Sequence, residues 1–302
     1  MKIYLNREPV NGPWGGGNKI IQTLSSALVA DGHEVVYQLN TPNIDLIYCQ
    51  DPRPNARGEW YQHIINYKNQ FGTKVIQRVG DVGSHGKPEL TELVKKTCAL
   101  SDRVIFTSQW AQDYIGYKEN NAVVVHNAPV SQFYEYRNNT NVSKIKLVTH
   151  HWSTNIRKGF ELYRQLDNLI SAMPRWEFTY VGSLPKNFVF SNTNYIPATG
   201  DNKKLGKIIS DSTIYLTASE EEAGANHVLE GMAAGLPVVY HSNGGSVKEY
   251  AERFGAGFND TQTMIDAISN VFNNYQLYKN RVMQYTDNID TVCKKYLEII
   301  YD

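Results

Sequence analysis

Two glutamates, Glu222 and Glu230, stand eight positions apart and have the clearest potential for chemistry in this sequence. Eight residues span just over two turns of an α-helix, so both carboxylates can face one ligand if a helix begins near Ala225. A carboxylate can bind two neighbouring hydroxyls at once, as on a ribose or a hexose. Glu220 and Glu221 have a simpler explanation, because acidic residues near a helix start complement its dipole.

Two cations, Arg157 and Lys158, stand beside Gly159 where a predicted strand passes into a predicted helix. Lysine acts as a point charge and arginine as a planar fork, so together they could clamp a diphosphate. A solvated basic helix start is the alternative interpretation. The nearby His150 and His151 raise the question of a metal site, which strand geometry disfavours because adjacent side chains point to opposite faces.

A glycine-rich loop, residues 7–18, leads from the first predicted strand into a helix and contains Gly15, Gly16 and Gly17. Residues without a Cβ let the backbone approach a ligand closely, and the N–H groups at a helix start attract anions. A flexible turn without a ligand is the alternative. The loop lacks the GxGxxG pattern, so a dinucleotide site is disfavoured.

Short apolar segments alternate with amphipathic ones, and these elements must position the candidate residues. In the first half, strands are predicted at residues 2–5, 34–38, 46–49, 74–78, 103–107 and 122–126, and helices at 19–31, 60–70, 87–100 and 110–117. In the second half, strands are predicted at residues 145–149, 178–181, 214–217 and 237–241, and helices at 160–173, 203–210, 228–234 and throughout 261–302. This alternation implies parallel strands with right-handed crossovers, so the fold class is α/β with two doubly wound domains. The polar residues 136–141 form the best linker between them.

The composition argues against several classes of protein. The 302 residues contain 30 Lys and Arg against 30 Asp and Glu, so the net charge is zero. Nonspecific attraction to nucleic acid or to an anionic membrane needs a basic surplus, so we expect neither a nucleic-acid partner nor a strong membrane signal. Three widely spaced cysteines disfavour a disulfide framework or a zinc site, and the pattern of a signal peptide or membrane helix is missing. A cytoplasmic protein is therefore expected.

The chemical motifs, taken together, resemble the signature of retaining GT-B glycosyltransferases of family 4, the glycosyl transferases group 1. The resemblance begins with Glu222-x7-Glu230 and continues through the Gly-Met-Ala-Ala-Gly-Leu-Pro-Val-Val that follows. Three further segments are similar to family elements in the expected order: Lys158-Gly159, residues 125–133 and residues 244–249. The second half matches closely, and the first half mainly by its layout.

The resemblance implies a GT-B architecture of two Rossmann-like domains facing a central cleft. An acceptor-side domain would take residues 1–140, a donor-binding domain residues 141–285, and a C-terminal helix in residues 286–302 would pack back on the first domain. The donor would be a nucleotide diphosphate-sugar, and the acceptor a carbohydrate or another molecule with a hydroxyl. Neither a metal nor another cofactor is expected, since basic side chains and a helix N-terminus would stabilise the leaving diphosphate.

The resemblance also assigns roles to individual residues. Glu230 would hold the ribose hydroxyls, Glu222 would lie near the transferred sugar, and Lys158 would neutralise the departing diphosphate. Retention would follow from front-face attack, with Glu222 as a covalent nucleophile the less favoured alternative. The remaining donor-binding candidates are Arg157, Ala223, Gly224, Ala225, Asn226, Gly16 and Gly17.

Residues 78–86 form a second glycine-containing loop, at a position where related enzymes place a histidine near the reacting carbon of the sugar. His85 is therefore the third catalytic candidate beside Glu222 and Lys158, with a surface histidine on a turn as the alternative. Asp81 and Arg78 are the acceptor-side candidates, because both stand in the same loop.

Two departures from the family pattern bear on activity and donor choice. The family's arginine before the lysine is missing, since residues 151–153 read His-Trp-Ser, and Arg157 is the nearest substitute. Ala225 stands where the family has a glycine, with Asn226 next. These departures leave open a GT-B binding module without turnover. A nucleotide-sugar epimerase with the same fold and, more remotely, a nicotinamide-dependent oxidoreductase stay open as well.

Overall fold

The computed structural model of the chain describes residues 1–10, 12, 15–137 and 142–302. Part of the predicted linker, residues 138–141, lies outside the described residues, as do residues 11, 13 and 14 of the glycine-rich loop. The chain divides into two compact units. The first contains the N-terminal strand, Gly15–Asn127 and Ile289–Asp302, and the second contains Ala128–Asn288.

The first unit is built on a parallel sheet of six strands. The strands are β1 (Lys2–Leu5), β2 (Glu34–Val36), β3 (Leu46–Cys49), β4 (Lys74–Val79), β5 (Arg103–Phe106) and β6 (Ala122–Val124). Their order is β2-β1-β3-β4-β5-β6, with Tyr4 paired to Ile47 between β1 and β3. The helices that follow these strands are α1 (Gly16–Ala30), α2 (Tyr61–Phe71), α3 (Pro88–Leu100) and α4 (Gln109–Ile115).

The second unit repeats this plan with its own parallel sheet. Its strands are β7 (Ile145–His151), β8 (Trp176–Gly182), β9 (Asn194–Pro197), β10 (Ile214–Thr217), β11 (Val238–His241) and β12 (Gly255–Phe258), in the order β12-β11-β10-β7-β8-β9. Its helices are α5 (Phe160–Ile170), α6 (Asn202–Ser210), α7 (Asn226–Ala233), α8 (Ser246–Ala251), α9 (Thr261–Asn273) and α10 (Tyr275–Val282). The prediction of two doubly wound α/β sheets is confirmed.

The final helix, α11 (Ile289–Tyr301), belongs to the first unit, where it packs on α1. Tyr301 Oη donates to Asp31 Oδ2 over 2.7 Å, just beyond the end of α1. Inside the unit, Tyr296 Oη accepts a hydrogen bond from Arg78 Nε at 3.1 Å. The last fourteen residues are thus held by both a surface contact and a buried one.

Several elements of the second unit differ from the sequence-based prediction. The strands β9 and β12 and the helix α8 were not predicted, and residues 261–302, predicted as one helical stretch, form α9, α10 and α11. The edge strand β9 is largely exposed, and β12 reads Gly-Ala-Gly-Phe, so neither has the apolar pattern of a buried strand. The chain leaves helical geometry at residues 285–288, which include the turn-forming Asp287 and Asn288.

Successive residues of β7 face two separate hydrophobic layers, as expected for a strand buried on both sides. Val148 packs in the layer that contains α7, and Leu147 packs with Tyr163 of α5 in the other. The same alternation places His150 towards α7 and His151 towards α5, so the two histidines point to opposite faces as predicted. Among the described residues, no helix combines the length and apolarity needed to cross a membrane.

A carboxylate at the end of α5 holds the loop before β9. Asp167 is 2% exposed and accepts hydrogen bonds from the N–H groups of Ser191 (2.7 Å) and Asn192 (2.9 Å) and from the hydroxyl of Thr193 (2.6 Å). Burial alone would raise the pKa of this carboxyl. The hydrogen bonds from Thr193 and Ser191 outweigh burial and leave the pKa below its usual value.

Replacing Asp167 by Asn should destabilise the protein by about 1–3 kcal/mol. The amide NH₂ group would replace a carboxylate oxygen and face N–H and O–H donors that then lose their acceptor. The charged form stabilises the fold above the unfolded pKa of about 3.9, and this contribution is lost as the pH falls through the lower folded pKa. Urea unfolding at pH 7 and at pH 3 would show a difference between wild type and variant that shrinks in acid. Asp211→Asn, at an exposed position after α6, is the control; equal losses in both variants would contradict the role of Asp167.

Candidate active site

The candidate residues of the second unit meet where its strand order changes direction. The chain runs outward from β7 to β8 and β9 and then returns to place β10 on the other side of β7. Doubly wound sheets bind ligands at the carboxyl edge beside such a switch point. The loop after β7 carries Lys158, and the loop after β10 carries Glu222.

Lys158 is the last residue of a short 3₁₀ turn, Ile156–Lys158, which Asn155 caps by accepting the N–H of Arg157 at 2.9 Å. The next residue, Gly159, has a left-handed φ of 81°. A Cβ at this position would lie 2.3 Å from the carbonyl oxygen of Ala218, so only glycine lets the turn approach the loop after β10. The glycine of the Lys-Gly pair is therefore explained by close backbone contact.

Lys158 Nζ donates to Glu222 Oε1, and only 12% of each side chain is exposed. The backbone around Glu222 is fixed on both sides, since its N–H donates to the carbonyl of Gly244 (3.1 Å) and its carbonyl accepts the N–H of Ser246 (2.9 Å). The Gly-Gly-Ser segment of the sequence thus supports the loop that carries Glu222. Because α7 begins at Asn226, only Glu230 of the two glutamates lies on the helix.

Glu230 lies on α7, is 4% exposed and faces the end of β7. Its Oε2 atom lies 2.7 Å from Nε2 of His150, and Nδ1 of His150 lies 2.9 Å from the hydroxyl of Tyr215. The N–H of His150 also donates to this hydroxyl, at 3.3 Å. One assignment of protons satisfies every bond: Tyr215 donates to Nδ1, and Nε2–H donates to the carboxylate.

Two further imidazoles lie beside this network. His151 is 3% exposed, with Nε2 2.9 Å from the hydroxyl of Tyr163. His227, on the first turn of α7, is partly exposed; its Nε2 lies 3.0 Å from Thr217 Oγ1, and its ring centre lies 4.8 Å from that of His151. His227 was not among the predicted site residues, although a polar residue inside the Glu222-x7-Glu230 segment was a usable signal.

Both imidazoles are neutral at physiological pH. Burial, opposed by Glu222 and assisted by Lys158, lowers the pKa of His227 to about 3. Burial also holds the pKa of His151 well below its usual value, with His227 and Lys158 acting in the same direction. Among the described residues, no group of three His, Cys, Asp or Glu side chains is arranged to hold a metal ion.

The other predicted residues of the second unit surround this centre. Arg157 is paired with Glu221 (3.2 Å) and Glu220 (3.5 Å). Ala223 and Ala225 are buried, and the N–H of Ala225 donates to the hydroxyl of Ser246 at 3.1 Å. Gly224 accepts the N–H of Asn226, which begins α7. Beside the histidines of β7 lies a shallow surface hollow, lined by His150, His151, Trp152, Val181, Gly182, Ala198, Thr199 and Leu205.

The remaining predicted residues lie in the first unit, at the carboxyl edge of its sheet. Gly16 and Gly17 begin α1, and the carbonyl of Gly17 accepts a hydrogen bond from Gln50 Nε2 at 3.1 Å. Asp81 is paired with Lys87 (3.1 Å) and with Arg53 (3.3 Å).

His85 and Arg78 differ in their exposure. His85 is partly exposed in the loop after β4. Arg78 is only 3% exposed, and its Nη2 donates to Asn127 Oδ1 at 2.8 Å in addition to the bond from Nε to Tyr296. The guanidinium of Arg78 is thus directed into the unit.

Known proteins resemble this chain in sequence and in fold. Residues 149–274 match the model of the family described as Glycosyl transferases group 1. A curated protein of Haemophilus influenzae, described as an uncharacterized glycosyltransferase, is 27% identical over 208 residues, which cover 61% of this chain and 56% of that relative. The chain therefore spans little more than half the length of this relative.

Solved structures match over the whole chain. Sucrose-phosphate synthase from Thermosynechococcus elongatus aligns with a TM-score of 0.72 at 13% identity, covering 100% of this chain and 98% of the other. The Anabaena protein Alr3699/HepE, in complex with UDP and glucose, aligns with a TM-score of 0.70 at 14% identity, covering 100% and 99%. The chain therefore has the GT-B fold. Within it, residues 149–274 match the model of the Glycosyl transferases group 1 family.

Replacing Tyr215 by Phe should lower the free energy of unfolding by about 1–3 kcal/mol, because Nδ1 of the buried His150 would lose its partner. Urea unfolding of the full chain measures this loss. Tyr195→Phe removes a hydroxyl from the edge strand of the same sheet, where the side chain is 42% exposed, and is the matched control. A loss no larger than the control's would show that the hydroxyl of Tyr215 does not support the histidine.

Proposed function

We propose that this chain is a retaining, metal-independent glycosyltransferase of family 4, which moves a sugar from a nucleoside diphosphate-sugar to a carbohydrate or other hydroxyl acceptor. The observation that carries the proposal is the ion pair of Lys158 and Glu222, formed at the switch point of the sheet beside Glu230. The family match over residues 149–274 supports it.

In this proposal Lys158 stabilises the charge that appears on the leaving diphosphate. The bond between the anomeric carbon and the diphosphate oxygen breaks, and the electron pair leaves with the diphosphate. The acceptor oxygen bonds to the anomeric carbon on the same face, and its proton passes to a diphosphate oxygen. A positioned cation is worth most where charge develops in an enclosed site, and only 12% of the Lys158 side chain is exposed.

Glu222 then orients the transferred sugar instead of attacking it. A carboxylate already bonded to an ammonium group is a poor nucleophile but a good acceptor of hydroxyl hydrogen bonds. Arg157 would assist with the phosphates, although Glu220 and Glu221 are paired with it. The backbone of residues 223–226 would meet the sugar or the phosphates at the start of α7.

Glu230 would bind the ribose of the donor, with His150 holding its carboxylate in place at 2.7 Å. The surface at the ends of β7 and β8, beside Trp152 and Thr199, would lie against the base. UDP is the first ligand to test, because the similar HepE structure contains UDP and glucose.

In the first unit, His85 would contact the reacting sugar and Asp81 would contact an acceptor hydroxyl. Gly16 and Gly17 would contribute to binding the donor phosphates. Arg78 would act indirectly, because its guanidinium is bonded to Tyr296 and Asn127 inside the first unit. A side chain that ties β4 to α11 can keep the following loop, with Asp81 and His85, in position.

Replacing Lys158 by Ala should weaken UDP binding by about 10- to 100-fold, since a charge-assisted hydrogen bond contributes about 1.5–3 kcal/mol. Isothermal titration of the full chain with UDP measures the affinity, and release of UDP from UDP-glucose measures turnover. Lys186→Ala, at an exposed position of the second unit, is the matched control. Unchanged UDP affinity in Lys158→Ala would overturn the diphosphate role, and binding without turnover for any nucleotide sugar would favour a binding module.

Replacing Glu230 by Gln should weaken UDP binding but leave inorganic pyrophosphate binding unchanged or stronger. The amide keeps the size of the side chain and can still accept from His150, but it loses the charged acceptor for ribose hydroxyls. It also removes a negative charge near the phosphates. Competition titrations with both ligands separate these effects, with the exposed Glu161→Gln on α5 as control. Equal loss for UDP and pyrophosphate would contradict the ribose role.

A further inference from the structure

Two backbone contacts join the loops after β7 and β10 beside the ion pair of the candidate site. The N–H of Glu220 donates to the carbonyl of Arg157 at 2.8 Å. Gly159 lies so close to Ala218 that a Cβ on the glycine would come within 2.3 Å of the alanine carbonyl oxygen. Each contact places the turn after β7 against the loop after β10. The position of Ala218 therefore affects how closely the two charged side chains of the ion pair can approach.

A tyrosine of α5 holds Ala218 in this position. Tyr163 lies in the first turn of α5, four residues after Gly159, and it is fully buried. Its hydroxyl accepts the N–H of Ala218 at 2.9 Å. Ala218 is itself buried and comes directly after the end of β10. A buried N–H without a partner is costly, so this hydroxyl fixes the backbone where the loop begins.

The hydroxyl of Tyr163 is held in turn by two side chains of β7. It lies 2.9 Å from Nε2 of His151 and 3.3 Å from Oγ1 of Thr149. These two atoms lie 3.2 Å from each other, and both residues are buried. A tyrosine hydroxyl has one proton, so it can donate to the histidine or the threonine and still accept from Ala218. One side chain thus connects β7, α5 and the start of the loop after β10.

We propose that Tyr163 is a positioning residue for the donor phosphates, which it does not itself touch. Its hydroxyl holds the loop after β10 against the turn after β7, so that Lys158 and Glu222 meet where the diphosphate would bind. This inference rests on the proposed donor site. A cation that is already in place when the ligand arrives binds without the cost of ordering its side chain.

Replacing Tyr163 by Phe keeps the ring in the core and removes only the hydroxyl. The N–H of Ala218 then loses its partner, and the loop can move away from Gly159. UDP affinity should fall by about 3- to 10-fold, the range that corresponds to one neutral hydrogen bond. A residue that only stabilised the fold would lower the free energy of unfolding and leave the UDP affinity of the folded protein unchanged.

The experiment is a double-mutant cycle in UDP affinity, measured by isothermal titration of the full chain. It compares wild type, Tyr163→Phe, Lys158→Ala and the combined variant. If the hydroxyl acts through Lys158, its removal should cost nothing further once the lysine is gone, so the combined variant should bind UDP as weakly as Lys158→Ala. Tyr61→Phe is the matched control and should bind UDP like the wild type. Tyr61 is a buried tyrosine of α2 whose hydroxyl also has two partners, at 2.6 Å and 3.0 Å.

Circular dichroism shows whether the variants fold. If Tyr163→Phe does not, Thr149→Val takes its place in the same cycle with the same expectation, because it removes the hydroxyl beside that of Tyr163.

Two results would overturn this inference alone, provided that Lys158→Ala weakens UDP binding. One is unchanged UDP affinity in the tyrosine variant, and the other is a loss that adds in full to the loss in Lys158→Ala. If the wild type binds no UDP, or Lys158→Ala binds it as tightly as the wild type, the proposed donor site fails and this inference fails with it.

Discussion

The ion pair between Lys158 and Glu222 is the contact on which the loop edge of the second unit depends. It joins residues 64 positions apart in the chain and leaves only 12% of each side chain exposed. Removing one partner of such a pair leaves a charge in a poorly solvated place, which is strongly unfavourable. The left-handed conformation of Gly159 and the backbone hydrogen bonds of Glu222 bring the loops after β7 and β10 close together. The local backbone conformation thus allows the ion pair to form.

The buried polar residues behind the pair form a connected set. Tyr215, His150 and Glu230 satisfy one another from three different elements, β10, β7 and α7. A buried polar group without a partner is costly, so such a set fixes the relative position of the elements that carry it. The same bonds orient the carboxylate of Glu230 and keep the proton of His150 on a defined nitrogen, which links stability to the proposed chemistry.

The strands and helices could be predicted from the sequence where the pattern of apolar side chains matched their burial. The alternation of apolar strands with amphipathic helices predicted both sheets, because a central parallel strand is apolar on both faces. The prediction missed β9, which is largely exposed, and β12, which consists mostly of small residues, because neither strand has this apolar pattern. The prediction of one helical stretch to the C-terminus also failed at residues 285–288. Here the chain leaves the second unit and is not helical.

The sequence by itself determined the fold class and the two motifs, Lys158-Gly159 and Glu222-x7-Glu230, because both depend on residue type and short spacing. Only the tertiary structure decided their partners. Glu230 meets His150 from 80 positions away, and His227 lies beside His151, because β10 pairs with β7 at the switch point of the sheet. Strand pairing of this kind joins residues whose separation along the chain carries no periodic signal, so a linear pattern cannot reveal it.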